Sequence, residues 1–287
     1  MFTPTAKIIT DSVTPEGYRL TTMEVEIHRF VLAEFNTHRK FSRNSASSRA
    51  IPFAKMRAKV LENPAIPLSW PEEQKGMQGG EELSFSRSEL AIAEWLTARD
   101  SAVASADKLR EVGVHKSVIN RLLEPFLSHT IIVSATDYAG FFAQRCHPAA
   151  QPEIRVAAEA MKAAYEASTP TALDWGQWHL PYTTAEERQE FPVIYQKKGR
   201  YLREWEFVSA NPILKISAAR SARVSYLTHD GVRDINLDLD LFDKLARHNP
   251  AHASPLEHPA TAGYPLTGPV LGNFKGWRQL RHVLGMV

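Results

Sequence analysis

The chain has 287 residues, of which 44% are hydrophobic and 23% charged, and these values exclude a mainly disordered protein. A formal net charge of +2 is too small to hold a nucleic-acid polymer by charge alone. The single cysteine, Cys146, excludes an intramolecular disulfide and a cysteine-based zinc site. Residues 1–11 lack a signal-peptide core, and no run approaches the roughly 18 apolar residues of a membrane span. We therefore expect a cytoplasmic protein that does not enter membranes.

Hydrophobic spacing and Pro and Gly positions predict the elements of the first half. They indicate a strand over 18–26, a helix over 28–39, a polar loop over 40–49, a long loop or lid over 64–80, one or two helices over 81–112 and a helix over 114–123.

The same patterns predict a mixed second half without a linker or an internal repeat. They indicate strands over 130–134, 193–195 and 204–208, and helices over 137–145, 153–167, 216–226, 237–247 and 272–284. The whole chain, 1–287, is therefore expected to form one α+β domain.

The segment 37–49 concentrates side chains that donate hydrogen bonds. Its sequence, Thr-His-Arg-Lys-Phe-Ser-Arg-Asn-Ser-Ala-Ser-Ser-Arg, follows the predicted helix over 28–39. Guanidinium groups and hydroxyls in such a loop suit a phosphate, since planar guanidinium forks bind pairs of oxygens. Composition alone favours a solvated basic loop, or one that touches RNA, over a nucleotide site.

Two further segments carry polar residues at suggestive spacing. Residues 145–154 place Arg145 before a helix start that holds Glu153, which could also form an ordinary surface ion pair. Residues 222–226 read Ala-Arg-Val-Ser-Tyr, and residues 252–258 read His-Ala-Ser-Pro-Leu-Glu-His. The last segment alone suggests a helix cap or turn, and its histidines lack the further ligands of a metal site. No metal is expected.

Together these segments resemble the motifs of the flavin-dependent thymidylate synthase family. Its Arg-His-Arg, Ser, Asn-Glu, Ser, Arg signature is matched at His38, Arg39, Ser42, Asn44, Ser47 and Arg49, whereas Thr37 and Ser45 depart from it. The family's Arg six residues before the Gln of Ala-Gln-x-Glu-Ile is matched by Arg145, and its Ala-Arg-Val-x-Tyr and His-x-Ser-Pro-Phe-Glu-His motifs by 222–226 and 252–258.

The motifs occur in an unusual order, because the two that usually end the family sequence come first here. The resemblance therefore implies a circularly permuted domain of mixed helices and antiparallel sheet, which neighbouring chain termini allow. Other positions also differ. Glu34 stands where the family has Gln, Ser134-Ala135-Thr136 replaces Asn-x-Arg, and Ile119-Asn120 replaces Ala-Arg. Arg43 or Arg121 could substitute for a lost cation.

The resemblance implies reductive methylation of dUMP to dTMP by an FAD-dependent methyltransferase, with methylenetetrahydrofolate and NADPH as co-substrates, in a homotetramer. It assigns catalysis to Arg145 and Ser47. It assigns the nucleotide to Glu34, Ser45, Ser47, Ser48, Arg49, Asn120 and Arg145. It assigns the flavin to Thr37, His38, Arg39, Asn44, Ser45, Thr136, Gly140, Ser225, His252 and Ser254.

Alternatives remain at this point. The same one-carbon unit could be released as a hydroxymethyl group, or the protein could be a non-enzymic nucleotide- or RNA-binding protein. Cys146 is interpreted as a structural thiol rather than a nucleophile, because its position matches no motif of the thymidylate synthases that use a Cys nucleophile and the flavin-dependent family has no Cys there. The segment 175–182, Trp-Gly-Gln-Trp-His-Leu-Pro-Tyr, could stack on a planar ligand or form a core turn.

Overall fold

A computed structural model describes residues 2–224, 233–262 and 272–286. Its strands are β1 (Thr5–Val13), β2 (Arg19–His28), β3 (Ser42–Ser45), β4 (Ser128–Ala135), β5 (Thr171–Ala172), β6 (Trp178–His179), β7 (Gln196–Lys197), β8 (Arg200–Tyr201), β9 (Ala260–Thr261) and β10 (Arg278–Gln279). Its α-helices are α1 (Leu32–Asn36), α2 (Phe53–Glu62), α3 (Phe85–Glu111), α4 (Lys116–Ile119), α5 (Ala139–Arg145), α6 (Pro152–Ala167), α7 (Ala185–Glu190), α8 (Glu204–Ala210), α9 (Pro212–Arg223), α10 (Ile235–Ala246) and α11 (Leu280–Val283). Short 3-10 helices cover Arg29–Val31, Asn120–Phe126 and Ser254–Glu257.

The main sheet has the strand order β3-β4-β2-β1-β5, with antiparallel pairs except for β1 and β5. Side chains alternate between the two faces of a strand, so Met23, Val25 and Ile27 of β2 share one face. They form a buried core with the facing residues of α5 and α6, including Phe141 and Met161. This packing holds the two helices that flank Arg145 against the sheet.

The second half of the chain covers the opposite face of the sheet. Thr22 Oγ1 lies 2.7 Å from Nε2 of His179, and Ser134 Oγ lies 2.8 Å from Nδ1 of His258. Thr22 and Ser134 also bond each other at 2.5 Å, and Ser12 Oγ lies 2.9 Å from Nδ1 of His179. A continuous chain of buried hydrogen bonds therefore joins early and late segments.

The expected mixture of helices and antiparallel sheet is confirmed. The strands predicted over 18–26 and 130–134 correspond to β2 and β4, and the helices predicted over 81–112, 137–145 and 153–167 to α3, α5 and α6. Those over 216–226 and 237–247 correspond to α9 and α10 within the described residues. Segment 64–80 contains no helix or regular strand. In the described part of the chain, no helix is long and apolar enough to cross a membrane.

The sequence prediction was wrong at two strands of the second half. The segment 204–208 alternates apolar and acidic residues like a strand but forms α8, whose Phe207 and Val208 pack into the core. The segment 193–195 belongs to no strand, because the side chain of Asn211 pairs with the backbone N–H and C=O of Ile194. The Asn211 side chain therefore makes the hydrogen bonds that a neighbouring strand would otherwise make.

Other predicted boundaries also need correction. The helix over 28–39 is a 3-10 turn followed by α1, and the helix over 114–123 is the short α4 followed by a 3-10 segment that contains Pro125. The polar loop over 40–49 contains β3, whose backbone pairs with β4. The terminal helix over 272–284 shrinks to α11, because Gly272 and Gly276 adopt positive φ angles and β10 pairs with β9. Strand β1 was not predicted.

Candidate functional site

Arg145 lies at the end of α5 and contacts the segment that follows α1. Its Nε donates a hydrogen bond to Nε2 of His38 at 2.9 Å, and one terminal nitrogen lies 3.4 Å from Oγ1 of Thr37. Three residues predicted from two separate motifs therefore meet. Arg145 does not pair with Glu153, contrary to the simple alternative, because buried Glu153 accepts a hydrogen bond from the backbone N–H of Leu68.

His38 is held as a neutral imidazole. Burial first, and then the positive charges of Arg145 and Arg43, lower its pKa to about 4. Because a guanidinium can only donate, Nε2 of His38 is the acceptor and the proton of the neutral ring lies on Nδ1. The ring edge packs against Phe141 at a centroid distance of 4.8 Å. Arg145 thus keeps its charge beside a residue that does not repel it at neutral pH.

The segment after β3 forms a turn that presents Arg49. The backbone N–H groups of Ala50 and Ile51 donate to the carbonyl of Ser47. Asn120, which is fully buried, donates to the carbonyls of Ser48 at 2.6 Å and Ile51 at 3.0 Å. The buried amide of Asn120 therefore stabilises the turn. Its Oδ1 has no hydrogen-bond partner among the described residues. Arg49 is exposed, and no described residue forms a hydrogen bond or ion pair with its side chain.

Asn44 joins the first motif to the last. Its amide donates to the carbonyl of Ser221 at 2.8 Å, and its Oδ1 accepts from Oγ of Ser254 at 3.2 Å. Gln279 reaches the same strand, with Nε2 donating to Ser42 Oγ at 3.0 Å. The motif around Ser254 therefore lies against the signature segment, as the permuted order requires.

The remaining predicted flavin contacts of the later motifs differ in position. His252 is exposed, with its ring centroid 5.0 Å from that of His248. Ser225 lies outside the described residues. Gly140 is exposed on α5, where a Cβ would meet nothing within 4 Å. These three assignments stay predictions.

Arg39 and Thr136 line one pocket of about 790 Å³. The pocket is concave and strongly basic. Its other lining residues are Gly17, Tyr18, Arg19, Lys40, Asp137, Tyr165, Gly272, Asn273 and Lys275. Within it, Lys40 pairs with Asp137, and Arg19 pairs with Asp11 at 2.6 Å. The four cations Arg19, Arg39, Lys40 and Lys275 form a donor set that fits a dinucleotide with a pyrophosphate, such as FAD.

Three serines predicted to bind the nucleotide, Ser45, Ser47 and Ser48, lie at the end of β3 and directly after it. Ser45 and Ser47 are partly buried, and Ser48 is buried beside Asn120. Glu34 lies on α1, and its buried Oε2 has no hydrogen-bond partner among the described residues. An unpaired carboxylate oxygen is a costly acceptor unless a ligand supplies a donor. Glu34 therefore remains a reasonable contact residue.

The structure also shows the surroundings of Arg43, Arg121 and Cys146, whose roles the sequence left open. Arg43 donates to the backbone carbonyls of Phe35 and His38, so it stabilises the signature segment from inside. Arg121 pairs with Glu124 at 2.7 Å on the surface. Burial raises the pKa of the Cys146 thiol, which packs at the margin of the α5 and α6 core. A protonated, partly buried thiol is a poor nucleophile.

The aromatic segment after β5 divides between core and surface. Trp178 is buried, stacks on Phe207 and donates from Nε1 to the hydroxyl of Tyr195 at 2.8 Å. Trp175 is 47% exposed and lines a separate cleft of about 880 Å³. Trp178 therefore has the core role, whereas only Trp175 is free to stack on another molecule.

Sequence reasoning did not anticipate the C-terminal wall of the basic pocket. Lys275 and Asn273 belong to no recognised motif, and the segment around them was predicted as helix. A signal was nevertheless present, because Gly272 and Gly276 bracket these residues. Two glycines so close together disfavour a helix and are typical of turns.

The structures of a UMP/dUMP methylase, PolB from Streptomyces cacaoi, show a likeness to this chain. With bound 5-Br UMP, identity is 16% and the TM-score 0.46, covering 57% of this chain and 89% of that chain. With bound 5-Br dUMP, identity is 13% and the TM-score 0.45, covering 57% and 90%.

Among curated proteins none matches. The family described as thymidylate synthase complementing protein matches residues 19–171, which is more than half of the sequence. This matched segment contains β2, the signature residues, Arg145 and α6. The chain belongs to the thymidylate synthase complementing protein family.

Proposed function

We propose that this protein is a flavin-dependent thymidylate synthase that methylates dUMP to dTMP. The observation that carries the proposal is the contact of Arg145 with His38 and Thr37, immediately before Arg39 enters the basic pocket. Arg145, which we propose faces the nucleotide ring, therefore lies close to the cationic pocket that we propose for a pyrophosphate. Membership of the family supports the same chemistry.

In the proposed reaction, the methylene unit of methylenetetrahydrofolate replaces the hydrogen on C5 of dUMP, which leaves as a proton. The bonds between this unit and the folate nitrogens break, and tetrahydrofolate leaves. FAD in its reduced form, when bound, would supply the hydride that completes the methyl group, and NADPH would restore the reduced flavin. No protein nucleophile is required, which agrees with the raised pKa of Cys146. We further propose a homotetramer, since this family shares its sites between subunits.

Arg145 and Arg49 have separate tasks in this proposal. Arg145 stabilises negative charge that develops on the pyrimidine, and its partner His38 stays neutral because its pKa is about 4. Arg49, beyond the other end of β3, binds the phosphate together with the hydroxyls of Ser47 and Ser48. The four-residue strand β3 spans about 13 Å. It separates the segment that contacts Arg145 from the turn that carries Arg49.

The flavin contacts are proposed on both sides of His38. Arg39, Thr136 and the basic pocket would hold the phosphates of FAD, and Thr37, His38, Asn44 and Ser254 would contact the rest of the cofactor. Ser45, Gly140, Ser225 and His252 complete the proposed set. Glu34 and Asn120 belong to the nucleotide side, where Asn120 acts by holding the turn of Ser48.

The cheapest test is an absorbance spectrum of the purified protein, followed by assay with dUMP, methylenetetrahydrofolate and NADPH. Bound flavin and a product with the mass of dTMP are expected. A product heavier by one oxygen would identify the hydroxymethylating alternative instead. Absence of flavin uptake together with RNA binding would overturn the enzyme assignment. Titration of dCMP beside dUMP tests whether the unpaired oxygen of Glu34 selects a base with an amino group.

A further inference from the structure

The basic pocket contains two cations, Arg39 and Lys275, that have no acidic partner among the residues that the structure describes. Arg19 pairs with Asp11 and Lys40 with Asp137, whereas no described carboxylate lies within ion-pairing distance of Arg39 or Lys275. Lys275 comes from the C-terminal segment, more than 100 residues beyond the end of the region that the family matches. An exposed but unpaired lysine facing a concave basic surface is a candidate anion ligand.

The backbone around Lys275 is held firmly in place. Phe274 and Trp277 on either side of it are completely buried, and Nε1 of Trp277 donates to the carbonyl of Tyr18 at 3.1 Å. Gly276 adopts a φ of 79°, and a Cβ added there would collide with the ring of Tyr18. This close approach places Nζ of Lys275 5.0 Å from the centre of the same ring.

Thr136 connects this segment to the signature side of the pocket. Its Oγ1 accepts a hydrogen bond from the backbone N–H of Lys275 at 3.0 Å. Thr136 itself brings no charge, but its hydroxyl anchors a residue that does. Arg39 approaches from the signature segment, and the two unpaired cations line one cavity.

We propose that Lys275 is a ligand of the pyrophosphate in a dinucleotide bound at this pocket, together with Arg39. The inference rests on the proposed flavin-dependent function and adds a residue from outside the family motifs. Two phosphates carry enough charge to engage both unpaired cations. The rings of Tyr18 and Tyr165 line the same pocket, and the cations of Lys275 and Arg19 lie over them.

The test compares FAD with riboflavin, which lacks the phosphates. Lys275→Gln should weaken FAD binding roughly tenfold or more, the loss expected for a charge-assisted contact, and leave riboflavin binding unchanged. Lys275→Arg should restore most of the FAD affinity. The matched control is Lys197→Gln in the exposed hairpin of β7 and β8, which removes the same charge from a residue that does not line the pocket.

The outcomes separate this inference from the proposed function. Equal FAD affinity for Lys275→Gln and the parent protein would overturn the role of Lys275 and leave the enzyme assignment standing. Failure of the parent to bind any flavin would overturn the proposed function. In that event titration with ADP decides about the pocket: weaker ADP binding by Lys275→Gln supports a pyrophosphate site, and identical or absent binding refutes it.

Discussion

Nε of Arg145 donates a hydrogen bond to Nε2 of His38, so that a cation and a neutral imidazole are fixed as donor and acceptor at 2.9 Å. The bond uses one edge of the guanidinium. The terminal nitrogens remain for other acceptors, and one of them lies 3.4 Å from Thr37. The orientation of Arg145 is therefore set by the signature segment rather than by its own helix.

Arg145→Ala should lower the rate at saturating nucleotide more than it weakens nucleotide binding. The reason is that a cation facing charge that grows during the reaction acts mainly on the transition state. Arg145→Lys should recover little, because it keeps the charge but loses the planar fork that contacts His38. Single-turnover oxidation of reduced flavin across nucleotide concentrations measures both quantities. A normal saturated rate for Arg145→Ala would remove this residue from catalysis.

Arg49→Ala should appear chiefly as weaker nucleotide binding. Loss of a charge-assisted contact to phosphate costs roughly 1.5 to 3 kcal/mol, or about ten- to a hundredfold in affinity. The control is Arg121→Ala, which removes a surface arginine that already pairs with Glu124. Calorimetric titration with dUMP compares the two variants. Similar affinities for both would place the phosphate elsewhere.

Cys146→Ala should keep most of the activity. Burial raises the pKa of this thiol, and its neighbours are apolar residues of the core, so it contributes little thiolate. Turnover and mass spectrometry of the protein after reaction with nucleotide provide the measurement. Loss of turnover in a folded variant, with a covalent nucleotide adduct on Cys146 of the parent, would contradict this expectation.

The protein should lose stability as the pH falls from 7 to 5. Burial lowers the pKa of His179 and His258 to about 3, below the roughly 6.5 of an unfolded histidine. Their stabilising contribution is therefore complete above about pH 6.5 and is lost as the pH falls towards 3. Each should cost about 2 kcal/mol of unfolding free energy between pH 7 and pH 5.

Chemical denaturation at both pH values measures this loss. His179→Gln keeps polar atoms near Ser12 and Thr22 but does not titrate, so its stability should change less between the two pH values. The comparison uses the difference between pH values for each protein, which removes the general destabilisation that the substitution causes. The same pH dependence in the variant and the parent would show that His179 is not involved.

The sequence predicted the parts of the fold that depend on local patterns. The periodicity of Ile154, Ala157 and Met161 identifies α6, because its buried face repeats within one helix. The segment of α8 misled the same reasoning, since its strand-like alternation was overridden by packing of Phe207 against distant aromatic rings. Tertiary contacts, which no local window contains, decided that element.

The candidate site, too, could be predicted only in part from the sequence. The motif resemblance identified Arg145 and His38, but their direct hydrogen bond depends on how α5 packs against the sheet. Asn120 was predicted to bind substrate, and its two bonds to the turn of Ser48 could not be inferred from spacing. Lys275 was missed because nothing in its neighbourhood resembles a motif.

The contacts of Asn44 and Ser42 also determine when the site can be completed during synthesis. Asn44 is synthesised long before its partners Ser221 and Ser254. Ser42 is likewise synthesised long before its partner Gln279. These separations of about 200 residues are high-contact-order pairings, which form late in folding. On the ribosome the signature strand must therefore emerge long before its partners, and its contacts form only after those later segments have been synthesised.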